Sequence, residues 1–156
     1  MSRSASQTSI TRRYNDAVAI ERGPLVYSLE IGEQWTRVNA DKPHRELPHA
    51  DFEVRPATPW NYGLIAAAGD IAGLSFKERP VGERPFSPEG AGMSASARAR
   101  RLPDWKLERG WAGERSSSDR SWADAARRGQ PQPEESITLI PYGCSNIRIT
   151  EFPTVP

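Results

Sequence analysis

The sequence predicts an all-β protein, an antiparallel, jelly-roll-like β-sandwich of about eight or nine short strands joined by long loops. Three observations carry that expectation. Apolar residues recur at every second position in short stretches along the chain, the signature of strands with one buried face. No stretch of about 10–15 residues has the helical period that a crossover between parallel strands needs. Finally, 14 prolines and 12 glycines among 156 residues break the chain into many corners. This length supports one domain with a real core.

The most regular stretch is Ala17 to Ile31. Val18 and Ile20 alternate before an Arg22-Gly23-Pro24 corner, and Leu25, Tyr27, Leu29 and Ile31 alternate after it. Gly23 takes backbone angles closed to other residues and Pro24 fixes φ without donating a hydrogen bond, so the pair is a structural turn. Ahead of it, residues 1–13 are rich in Ser, Thr and charge and read as a disordered or truncated lead-in. The domain proper is expected over 14–153.

Trp35 and Val38 lie in a short third strand, and Phe52 and Val54 in a fourth stopped by Pro56. Between them, Asn39 to Ala50 holds both histidines and has no apolar period, so it is a surface connection. Trp60 to Ala68 reads as a loop with buried aromatics running into a core strand, with one helical turn over Leu64 to Ala68 as the alternative. Leu74 to Lys77 alternates again, and Val81 to Met93 is loop. Ser94 to Leu107 reads as an edge strand guarded by Arg98, Arg100 and Arg101, with Pro103 at an edge or bulge. Residues 108–135 are loop-rich, with one short helix from an N-cap at Ser121 to a stop at Gly129. Ile137 and Leu139, then Ile147 and Ile149, predict a terminal hairpin around a turn at Gly143. Its strands are the expected sheet partners of Ala17 to Ile31.

Composition narrows function. Lys plus Arg is 21 against Asp plus Glu 20, a net charge of +1, which supplies no field to draw in nucleic acid or an anionic membrane surface. No stretch approaches the ~20 apolar residues of a membrane span, and the first residues lack the apolar core of a secretory signal, so the default expectation is a soluble, cytoplasmic chain. The single cysteine, Cys144, excludes an intrachain disulfide framework and a multi-cysteine zinc site. It reads as a small structural thiol, because no base lies near it in sequence. His44 and His49, on one Pro-containing loop, read as solvated side chains rather than metal ligands.

Four blocks in order, AVAIERGPLVYSLE, WNYGL, RRLPDWKLERGWAGE and ITLIPYGCSNIRITEFP, resemble the C-terminal β-region of glycoside hydrolase family 127, the β-L-arabinofuranosidase-like proteins. The resemblance implies a bacterial, polysaccharide-degrading context. In that family an N-terminal (α/α)6 barrel carries the chemistry, with a zinc-bound cysteine nucleophile and a glutamate acid/base. No catalytic residue transfers onto this chain, and zinc is expected only in the barrel. The chain then resembles a truncated reading frame, a split gene product or an excised module. The implied role is a non-catalytic accessory domain whose partners are the barrel or a split-gene partner, a second copy in a homodimer, and arabinose-containing plant glycans.

A carbohydrate-binding module is the alternative reading, because exposed aromatic faces stack on sugar rings. Its candidate residues are Trp111, Trp122, Trp60 and Tyr62, of which Trp60 and Tyr62, with Trp105, also suit packing between sheets. An independent small hydrolase is the weakest reading, because the chain has only two loop histidines and no G-x-S-x-G elbow.

Overall fold

The computed structural model describes residues 7–13, 17–67, 69–108, 111–112 and 132–156. Its strands are β1 (Thr8–Arg12), β2 (Val18–Arg22), β3 (Leu25–Leu29), β4 (Glu33–Val38), β5 (Asp51–Pro56), β6 (Tyr62–Ala67), β7 (Asp70–Ile71), β8 (Ser75–Glu78), β9 (Met93–Arg101), β10 (Leu107–Glu108), β11 (Trp111–Ala112), β12 (Glu134–Pro141) and β13 (Thr154–Val155). Nine of these exceed two residues. The expected all-β, essentially antiparallel fold is what forms. The main sheet runs β1-β2-β3-β12-β9-β6-β13, with β7 beside β6 and β8 beside β9. Two ribbons, β4-β5 and β10-β11, stand apart from it.

The Gly23-Pro24 corner is a two-residue hairpin loop, with Arg22 opposite Leu25 and Gly23 at φ 56°. Positive φ at the first central residue gives the turn a twist that matches the strands it joins. Beyond the corner the two strands diverge: only Glu21 and Arg22 pair with β3. Val18 pairs instead with Phe152, through hydrogen bonds of 2.8 and 2.9 Å, and the Leu29 N–H donates to Ile149 O. β3 also pairs with β12, so both expected partners of the Ala17 to Ile31 stretch are present.

Four expectations are corrected. Thr8–Arg12, read as part of the lead-in, is β1 and pairs with β2 along its whole length. Leu64 to Ala67 continues strand β6 and makes no helical turn. Ser94 to Arg101 is not an edge: β9 lies at the centre of the sheet, with β12 on one side and both β6 and β8 on the other. Its alanines, Ala95, Ala97 and Ala99, are buried, and Arg98 and Arg100 alternate outward between and after them. Lastly, the terminal hairpin does not form. After a 3-10 turn at Tyr142–Cys144 the chain runs on as an extended strap, which ends in β13, parallel to β6. The helix expected from Ser121 to Gly129 lies outside the described residues.

The strap closes the core. Phe152 is completely buried among Val18, Ile20, Tyr27, Leu29, Leu64, the three β9 alanines and Leu139. A second, smaller cluster forms on the other face of β6, where Ile65 meets Leu102, Trp105 and Val155. Gly63 lies on that face, and a Cβ there would sit 2.8 Å from Val155 Cγ1 and 3.2 Å from Leu102 Cδ1. The absence of a side chain at Gly63 therefore lets the end of the strap lie flat on β6.

Truncating Phe152 to alanine should cost about 3–5 kcal/mol, whereas Phe86→Ala, at an exposed ring, should stay within about 0.5 kcal/mol. Urea unfolding midpoints of the two variants check this, and equal shifts would refute the closing role of the strap.

Candidate functional site

The structure distributes the sequence-nominated aromatics unevenly. Tyr62 is enclosed, which corrects its reading as a sugar platform: its ring lies in the main core, its hydroxyl donates to Glu135 Oε2 at 2.8 Å, and the Arg101 guanidinium sits 5.7 Å from the ring centre. Burial, reinforced by the Glu135 carboxylate, pushes its phenol above the ordinary tyrosine range. Trp60 is half-buried and meets buried Trp105 edge to face at 5.2 Å. Asn61 ties the same corner down by donating to Leu102 O and Trp105 O. Trp111 starts β11, opposite Glu108. The Trp111 side chain and Trp122 lie outside the described residues.

Cys144, Arg98 and Arg100 are held in structural contacts. Cys144 is 5% exposed, packs with Ala91 and Ile140, and donates from Sγ to Pro85 O at 3.4 Å. Burial pushes the thiol up, against a smaller downward pull from Arg79. A protonated, enclosed thiol is a poor nucleophile. Gly143 sits in the 3-10 turn just ahead of it. His44 and His49 are exposed, and among the described residues no three His, Cys, Asp or Glu side chains converge on a metal position. Arg98 and Arg100 pair with Glu134 at 3.1 and 3.8 Å, and Arg100 also donates to Gln132 O and Pro156 O. These guanidiniums fasten neighbouring segments rather than hold an open anion site.

An exposed pair of aromatic rings lies on the β4-β5 ribbon. Register places Trp35 opposite Val54 and Arg37 opposite Phe52, so all four share one face. Gln34, Thr36, Glu53 and Arg55 take the other. Trp35 is 52% exposed and Phe52 44%, with ring centres 5.9 Å apart in an edge-to-face contact. Sequence reasoning placed both in strands but did not nominate either as a site residue. The available signal was the 12-residue polar connection from Asn39 to Ala50, which sets off a ribbon that pairs with no third strand among the described residues.

Glu33 anchors this ribbon. Its carboxylate accepts from the Asn146 N–H at 2.9 Å, Asn146 Nδ2 at 3.0 Å, the Ile147 N–H at 3.4 Å and the Trp35 indole N–H at 3.1 Å. Gly32 adds a second bolt by donating to Thr58 Oγ1 at 2.8 Å. Partial burial pushes the Glu33 carboxyl up, but the donors from Asn146, Ile147 and Trp35 together outweigh it and hold the group below the ordinary range.

Two measurements check this geometry. Cys144 should react with a disulfide reagent far more slowly in the native chain than in urea, and a native rate equal to that of an unfolded thiol would overturn its structural reading. Glu33, with its pKa lowered on folding, should contribute stability that is present above the ordinary glutamate value of about 4.3 and lost as pH falls through its lowered native value. Relative to Glu33→Gln, the stability advantage of the native chain should therefore vanish in acid, in step with a shift of the Trp35 indole N–H resonance.

Residues 3–151 match the family model described as the glycoside hydrolase family 127 C-terminal domain. A search of curated proteins and a search of solved structures each returned no match. The family match spans nearly the whole chain and agrees with the four sequence blocks and the all-β fold, so this chain belongs to the glycoside hydrolase family 127 C-terminal domain family.

Proposed function

We propose that this chain is a non-catalytic accessory domain of a family 127-like glycoside hydrolase, supporting the catalytic barrel or its oligomeric contacts. The observation that carries this reading is the match itself, which runs over residues 3–151 to a model of a C-terminal domain. The chemistry of the described side chains supports it. The single cysteine is buried and protonated, the histidines are exposed, and the Glu33 carboxylate accepts four hydrogen bonds from its own chain. On this reading the work of the domain is mechanical. A closed β-core offers a rigid body against which a barrel or a second copy packs, and the nucleophile, the acid/base and any zinc belong to the barrel.

The test is turnover. Purified chain should release no arabinose from a chromogenic β-L-arabinofuranoside above the buffer rate, with or without added zinc. Activity that tracks the chain through successive purification steps would overturn the accessory reading.

A further inference from the structure

We propose that the Trp35–Phe52 face of the β4-β5 ribbon is a stacking site for a saccharide ring of a neutral polysaccharide. The accessory-domain reading enters only in the choice of glycan. An exposed indole face suits a sugar because the axial C–H groups of a saccharide ring form a flat, weakly positive surface that complements the negative face of the π system. Trp35 is built for that contact. Its N–H is held by Glu33, its ring meets Phe52 edge to face, and Glu33 is itself fixed by three donors from Asn146 and Ile147. The ring is thus ordered before any ligand arrives, which lowers the entropic cost of binding.

Size favours a sugar over a protein. Aromatic side chains carry on the order of 150–250 Å² each, so exposures of 52% and 44% leave about 200 Å² for the pair. That is the footprint of one or two sugar rings and far below the roughly 800 Å² per partner of a stable protein interface. The rim supplies directional contacts. Arg37 is exposed on the same face, directly opposite Phe52, and one of its N–H groups donates to Arg45 O at 2.8 Å. A guanidinium has five N–H donors in a fixed fork, so others can meet sugar hydroxyls. Glu33 and Arg37 offset each other on this face, and the chain's net charge is +1, so a neutral glycan fits better than an anionic one.

The test is native affinity electrophoresis with soluble arabinan, arabinoxylan or dextran in the gel, with folding checked by circular dichroism. Arabinan or arabinoxylan should retard the chain. Trp35→Ala should weaken retention at least tenfold, Trp35→Tyr should retain part of it, and Phe86→Ala, an exposed ring elsewhere, should behave as the native chain. Arg37→Ala leaves both rings in place and should weaken retention several-fold, which tests the site independently if Trp35→Ala fails to fold. Retention by dextran alone supports the stacking site but refutes the arabinose-bearing choice. No retention by any of the three glycans, or equal retention of the native chain and Trp35→Ala, overturns the site. A dimer in light scattering that Trp35→Ala dissolves also overturns it, because the face is then occupied by a second copy. The glycan results leave the non-catalytic reading untouched, because turnover tests that reading separately.

Discussion

The fold depends on the hydrogen bonds that the C-terminal strap makes to three strands far from it in sequence. Val18 and Phe152 exchange both backbone bonds, the Leu29 N–H reaches Ile149 O, and the Leu64 N–H reaches Pro153 O. β2 and β3 are paired only next to their turn, so without the strap their outer halves would leave backbone donors and the Val18–Leu29 face open to water. The strap satisfies those donors and delivers Phe152 into the space they frame. An unpaired backbone group in an apolar setting costs on the order of 1–3 kcal/mol, so pairing and packing here reinforce each other. Closure also ties the start of the domain to its end.

Period-two patterning made most strands legible, because it depends only on one face being buried. It could not show which strands are central. In β9 the string Ala95-Ser96-Ala97-Arg98-Ala99-Arg100 alternates small residues with charged ones, which is also how a guarded edge looks. The structure resolves this by volume. Three alanines on the inner face leave room for the large side chains of Tyr27, Tyr62 and Phe152 in the same cluster, while Arg98 and Arg100 turn outward to Glu134. Complementary volumes across a core are a tertiary property, and a single strand does not record them.

The terminal hairpin was illegible for a related reason. Ile147 and Ile149 alternate as strand residues should, and both pack on the core. A return strand beside β12 would need backbone donors from this stretch, yet the Asn146 and Ile147 N–H groups go to the Glu33 carboxylate and Ser145 Oγ donates to Ile147 O. Asn146 and Glu33 are 113 residues apart, so no local pattern announces the competition. The same gap hid the exposed ribbon: alternation put Trp35 and Phe52 in strands, but only their register and exposure in the folded chain show that they share an open face. Burial of Cys144 was legible because a lone thiol with no base nearby in sequence is most often a packing residue.

The residues after β12 therefore do two jobs with one run of backbone. Asn146 and Ile147 hold Glu33, and through it the Trp35 indole, while Ile149 to Val155 close the core a few residues later. A rigid connection between an exposed aromatic face and a closed core passes any contact at the ribbon on to the sheet. A ribbon on a loose tether would bind or dock without orienting anything. The Glu33–Asn146 bonds remove that freedom at the base of the ribbon, and the strap carries the constraint into the sheet.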